Sequence, residues 1–205
     1  MNAKKFLLMI FVILMGTGYL TAQDSPKDRF SIGPRLGINF SNVSEIEGSE
    51  SATGIVGGLT STYSINENTG LTIDLLYSEE GWKGPGNNPE VDLRYLQIPF
   101  YFNYFFGEQG NRFRPKVYVG VMPSFYLNGK VDGEDFDDDN INGFLLAVGG
   151  GLGFNYRVGQ RIWLNTDLRS NLGLSEVFEA EVGEPSKFRT VQFSVGLAYG
   201  LAKYE

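Results

Sequence analysis

The chain has 205 residues, among them 27 Gly, 16 Phe and 11 Tyr, and a formal net charge of −7. It contains no His and no Cys, which excludes imidazole catalysis, thiol nucleophiles, disulfides and Cys-ligated metal centres. No apolar run reaches the roughly 18 residues of a spanning helix, and an acidic chain lacks the basic footprint of a nucleic-acid-binding protein.

At the amino terminus Lys4 and Lys5 precede an apolar stretch from Phe6 to Met15. Leu20-Thr21-Ala22 then offers small residues for cleavage, and the polar run Gln23 to Arg29 follows at once. That is the anatomy of a secretory signal peptide at 1–22, with 23–29 as a short periplasmic lead-in. No Cys follows the cut, so a lipid anchor is not expected.

From Phe30 onward the chain reads as strands of period two separated by turn residues. In the first segment Phe30, Ile32, Leu36, Ile38 and Phe40 oppose Ser31, Gly33, Arg35, Gly37 and Asn39. Further segments follow at 52–65, 69–79, 93–106, 115–127 and 143–158. In the seventh, Ile162, Leu164, Leu168 and Leu172 oppose Asn165, Asp167, Arg169 and Asn171. In the last, Val191, Phe193, Val195, Leu197, Tyr199 and Leu201 oppose Thr190, Gln192, Ser194, Gly196, Ala198 and Gly200. Pro34, Pro99 and Pro123 fall inside these strands, where each deletes a ladder donor and is expected to mark a bulge or a pairing fault.

A soluble, lipocalin-like barrel has the same alternation with its apolar face inward. Two features favour the inverse arrangement. The non-apolar face is small and glycine-rich (Ala147, Gly149, Gly151, Gly153), which suits a crowded interior and not a solvated surface. The apolar face carries aromatic residues near strand ends (Phe40, Tyr63, Tyr77, Tyr104, Phe125, Tyr156, Tyr199), as at the two rims of a membrane barrel. Long connections (41–51, 80–92, 128–142, 173–188) alternate with short ones (66–68, 107–114, 159–160). The expectation is an all-β, eight-stranded antiparallel up-and-down transmembrane β-barrel over 30–205, in the outer membrane, with its long loops outside the cell.

The run Tyr95-Leu96-Gln97-Ile98-Pro99 through Phe105-Phe106-Gly107, followed by Lys116 to Ser124 and Gly149 to Phe154, resembles the PorT-type outer-membrane beta-barrel family of Bacteroidota. The resemblance spans about 30–205 and implies location and fold, not chemistry. One member of that family takes part in secretion and gliding, which implies a second possible role, as a membrane subunit of a secretion or surface-assembly machine. The final strand also resembles the signal read by the barrel-insertion machinery (Ser194, Gly196, Tyr199, Leu201), although here the chain runs on through Ala202 to Glu205.

Eight strands leave a lumen just wide enough for side chains to fill. Arg35, Asp74, Gln97, Lys116, Asp167 and Arg169, with Tyr101, Tyr118 and Tyr126, are assigned inward as a polar network. Buried ions of both signs should pair, so a structural plug is favoured over an ion path. At 132–139 six acids cluster, and Asp138, Asn140, Asn142 and Gly143 reproduce the first half of a calcium loop; its twelfth position is Gly149 and not Glu. The bland alternative is a solvated acidic loop, or loose binding of the divalent cations that bridge lipopolysaccharide. The other long loops are acidic too, whereas the short turns hold Arg112, Arg114, Arg157 and Arg161.

No cofactor and no enzymatic activity are expected. A carboxylate pair could in principle hydrolyse a glycosidic bond, but acids in loops are normally solvated. The expected partners are outer-membrane lipid, lipopolysaccharide, the insertion machinery and a protein at the long loops. The expected role is structural, or binding and scaffolding through those loops.

Overall fold

The computed structural model describes residues 30–44, 48–84, 90–108, 111–135, 141–178 and 186–201. The signal peptide and lead-in lie outside the described residues, as do Asp138, Asn140 and the last four residues. Ten strand segments form one sheet: β1 (Phe30–Val43), β2 (Glu50–Ser64), β3 (Thr69–Lys83), β4 (Glu90–Gln97), β5 (Phe100–Phe105), β6 (Phe113–Val131), β7 (Glu134–Asp135), β8 (Phe144–Arg157), β9 (Ile162–Gly173) and β10 (Phe188–Gly200). All pairings are antiparallel; β4 and β5 both lie between β3 and β6, β6 pairs with β8, and β1 also pairs with β10. β7 is a two-residue tab on β6.

The ladders return on themselves. Ser31 pairs with Thr62, Thr62 with Thr72, Thr72 with Tyr101, and Tyr101 with Gly120. From Gly120 the lap continues through Gly149, Asn171 and Thr190 to Ser41. One circuit therefore ends on the strand where it began, ten residues further along β1.

The prolines disturb this circuit less than their chemistry suggests. Pro99 splits one strand into β4 and β5, yet both halves pair with β3 in a single register (Leu76↔Gln97, Ile73↔Phe100). Carbonyls at the break remain in use, since Asp74 N–H donates to Pro99 O at 3.1 Å and Ile98 N–H to Pro123 O at 2.9 Å. Pro34 leaves a short gap in the β1–β10 ladder without a shift, and Pro123 keeps its place opposite Leu146. The register shifts lie elsewhere, between Ser51 and Val56 on β2 and between Arg94 and Tyr95 on β4. Of the two expected outcomes, a bulge or a pairing fault, Pro34 and Pro99 show the second: pairing is interrupted without a bulge, because only the missing N–H is lost and the carbonyl still bonds.

Outward positions are apolar along most of each strand, with Leu36 71% and Leu152 60% exposed, while Arg35, Asp74 and Asp167 opposite them are buried. Toward the long loops this pattern inverts. On β3 the outward series Leu71, Ile73, Leu75, Tyr77 continues as Glu79, and the inward series Thr72, Asp74, Leu76, Ser78, Glu80 ends in buried Trp82. β1 changes in the same way, from outward Phe40 to Asn42 and from inward Ser41 to buried Val43. β10 does so between inward Thr190 and Phe188. The strands therefore run on past the apolar band, and there they present a polar exterior around an apolar core. This is why β3 extends to Lys83 and β6 to Val131, beyond the segments that apolar-out alternation marks.

Candidate functional site

Alternation on β1, β3, β6 and β9 points Arg35, Asp74, Lys116, Asp167 and Arg169 into the interior, where all are at most 5% exposed. Arg35 Nη1 lies 2.8 Å from Asp167 Oδ2, and Lys116 Nζ lies 2.8 Å from Asp167 Oδ1. Arg169 Nη2 donates to Asp74 Oδ2 at 3.1 Å, and Arg35 Nε stands 3.9 Å from the same oxygen. Arg35 also donates to Ser194 Oγ at 3.2 Å and to Thr60 Oγ1 at 3.3 Å. The Arg169 guanidinium stacks 4.8 Å from the Tyr101 ring and 5.8 Å from the Tyr118 ring, so π faces serve part of a cation that carboxylates do not cover. Glycines opposite make room: a Cβ at Gly153 would stand 2.7 Å from Asp167 Oδ1, and one at Gly151 2.6 Å from the Tyr118 hydroxyl.

Gln97 stands apart from this cluster. Its Nε2 donates to Glu80 Oε1 at 3.0 Å, and Thr190 Oγ1 donates to the same oxygen at 3.3 Å. Glu80 was outside the sequence-derived strand, which ended at Glu79; the signal that could have found it is the period-two continuation Ser78, Glu80, Trp82. With Glu80 included, Asp74, Asp167 and Glu80 are three buried carboxylates; the two aspartates pair with Arg35, Lys116 and Arg169, and Glu80 is held by Gln97 and Thr190. Tyr126 is partly buried against the apolar cluster and forms an edge contact with Tyr95 at 5.8 Å.

On the long-loop side of Glu80 lies an apolar cap that sequence reasoning missed, formed by Val43, Trp82, Leu93, Tyr95, Ile141, Leu145, Val177 and Phe188. Trp82 meets Phe178 and Phe188 edge-on at 5.9 and 6.0 Å. Two loops are tied over it. Ile141 bridges to Phe178, Asn142 N–H donates to Val177 O at 2.9 Å, and Val177 N–H donates to Ser186 O at 2.8 Å. Asn142, from the proposed cation loop, directs its side-chain amide to Glu176 O at 3.1 Å. Below the cap a cavity of about 20 Å³ touches Glu80, Ser124, Asn171 and Thr190, room for roughly one water.

At the opposite end the short turns carry Arg112, Arg157 and Arg161. Arg112 lies 5.1 Å from the Tyr156 ring and Arg157 5.9 Å from the Trp163 ring. Arg161 lies 6.0 Å from the Tyr199 ring and donates to its hydroxyl at 3.1 Å. Arg114 turns inward, over Phe105 at 4.7 Å and onto Glu67 O. In the final strand Ser194 and Gly196 face inward, Tyr199 outward, and Leu201 N–H donates to Phe30 O at 3.0 Å.

The closed circuit with its apolar exterior matches a known family model, the outer membrane protein beta-barrel domain, over residues 21–179. The chain belongs to that family. It is accordingly an outer-membrane protein, and its exposed apolar band faces lipid. Solved structures agree on the fold. Neisserial surface protein A is similar at 18% identity and a TM-score of 0.59, covering 83% of this chain and 96% of that one. OprG from Pseudomonas aeruginosa is similar at 16% identity and a TM-score of 0.52, covering 86% and 98%. Outer membrane protein W of E. coli is similar at 14% identity and a TM-score of 0.50, covering 86% and 100%. A search of curated proteins returned no match.

Proposed function

We propose that this outer-membrane family member is an eight-stranded closed barrel without enzymatic activity, sealed by its own side chains, that acts as a binding or scaffolding platform. Eight crossings follow when β4 and β5 count as halves of one strand. The ten-residue offset after one lap supports this reading: at ~3.3 Å per residue and ~4.8 Å per strand spacing it corresponds to a tilt of about 40°, within the range of such barrels. The observation that carries the function is the layered interior. An ion-paired layer, the Glu80–Gln97–Thr190 layer and the apolar cap follow one another toward the long loops, and Trp82, Val177 and Phe188 brace those loops from below. Such a barrel displays a surface and does not pass solute.

The resemblance at Tyr95–Pro99 and Lys116–Ser124 supports a place in the PorT-type branch, and with it the second role as a subunit of a surface-assembly machine. Planar-bilayer recording tests the sealed reading: the refolded protein should show no large, stable open channel, and one that did would overturn it. Cross-linking in native membranes then separates the two roles, since one stoichiometric protein partner favours the machine.

A further inference from the structure

The rim at the short-turn end has a property that the sealed interior and the loop platform do not use. Arg112, Arg157 and Arg161 lie at the ends of successive strands around this rim, just before β6, at the end of β8 and just before β9. Arg157 N–H donates to Arg112 O at 2.8 Å, linking the ends of β8 and β6. The β8–β9 hairpin carries both Arg157 and Arg161, and Gly200 N–H on β10 donates to Arg161 O at 2.7 Å. Three guanidiniums thus occupy a contiguous arc of strand ends. Among the described residues none of the three has a carboxylate within ion-pair distance, although Glu67 and Glu108 belong to turns at the same end. Neighbouring like charges repel, so the arc is arranged for anions that the protein itself does not supply.

Two of the three side chains also mark a depth. Arg112 lies against Tyr156 and Arg161 against Tyr199, rings on the lipid-facing side of β8 and β10. Aromatic residues of this kind sit at headgroup level in membrane barrels. Arg161 gives one N–H to the Tyr199 hydroxyl at 3.1 Å, and the other N–H groups of the two guanidiniums match phosphate oxygens. Arg157, over Trp163 on the inner side of the rim, adds field to the same arc. At the long-loop end, by contrast, outward cations meet carboxylates of the protein itself, Lys83 with Glu90 at 3.2 Å and Arg94 with Glu79 at 3.6 Å.

We propose that Arg112 and Arg161, with Arg157 between them, form a headgroup-binding arc for anionic glycerophospholipids in the leaflet that meets the short turns. It rests on the barrel reading above. The arc would take the lipid phosphodiester and its negative charge, and would favour one leaflet and one orientation of the barrel.

The test uses the full mature protein refolded into phosphatidylcholine vesicles that contain trace spin-labelled phosphatidylglycerol or spin-labelled phosphatidylcholine. Electron paramagnetic resonance reads the motionally restricted fraction of each. The wild type should restrict phosphatidylglycerol at least roughly twofold over phosphatidylcholine, with the preference falling as salt rises. R112Q/R157Q/R161Q should lose that preference while keeping heat-modifiable gel mobility, which reports a folded barrel. If that variant does not fold, R112K/R157K/R161K replaces it and should retain selectivity with a steeper salt dependence. Equal restriction of both lipids by the wild type, or unchanged selectivity in a folded glutamine variant, would overturn the proposal. So would loss of selectivity in millimolar inorganic phosphate, which would assign the arc to free phosphate. A conducting barrel with intact lipid selectivity would overturn the sealed reading and leave the arc standing.

Discussion

Asp74 and Arg169 meet at 3.1 Å across the interior, although β3 and β9 are neighbours in no ladder and 95 residues separate them in the chain. The bond is a strut across the lumen. It can form only when the circuit closes, because closure alone brings those two strands face to face.

The strut depends on a second carboxylate that holds two cations at once. Asp167 accepts Arg35 and Lys116, each at 2.8 Å. Asp167→Asn keeps the shape but leaves Lys116 without its carboxylate and Arg35 with only Asp74 at 3.9 Å, so unfolding in vesicles should show a loss of about 3–5 kcal/mol, the scale for breaking a buried pair. The Lys83–Glu90 pair at 3.2 Å is a contrast, with side chains 47% and 42% exposed. Lys83→Ala should cost under about 1 kcal/mol. Similar losses for the two variants in the same urea titration would contradict this account.

The cap should be separable from the membrane-embedded barrel. Trp82→Ala removes the ring that Phe178 and Phe188 pack against, which costs about 3–5 kcal/mol at a well-packed site. The loss is expected to be local. The segments tied at Ile141–Asn142 and Val177–Phe178 should be cut faster by protease added outside intact vesicles, while heat-modifiable mobility persists. A variant as resistant as wild type would show that the cap does not brace those loops.

Glycine is required where the interior is crowded. A Cβ at Gly151 would run into the Leu168 carbonyl oxygen and the Tyr118 hydroxyl, and neither a backbone atom nor a stacked ring moves cheaply. Gly151→Val should fail to give the folded gel band. Gly143, where an added Cβ meets nothing within 4 Å, should accept Ala with folding yield unchanged.

The lipid-facing band has its own signature. Val119, 59% exposed and midway along the apolar part of β6, should accept Arg only at a cost of about 2–4 kcal/mol, read by unfolding in vesicles. If Val119→Arg is neutral there, that face does not meet hydrocarbon.

Much of this was legible before any coordinates. Period two assigns Arg35, Asp74, Lys116, Asp167 and Arg169 to one face from each strand's own residues, because alternation is a property of a single extended chain. The small, glycine-rich character of that face indicates an interior. Glu80, Trp82, Val177 and Phe188 were not legible for the same reason in reverse. Apolar-out alternation stops at Tyr77, and beyond it the chain has the composition of a loop. The inward apolar series resumes only because strands that leave lipid must build a water-facing exterior around an apolar core.

What the sequence determined by itself was local and periodic: the strands, their two faces, and the alternation of long acidic loops with short basic turns. Which cation meets which carboxylate was decided by the tertiary structure. Partners such as Asp74 and Arg169 are chosen by the ten-residue offset that closure imposes, a sum over every register in the circuit and carried by no single strand. The arc of Arg112, Arg157 and Arg161 needs no closure: the β6–β8 ladder brings Arg112 beside Arg157 although 45 residues separate them, and one hairpin turn carries Arg157 and Arg161.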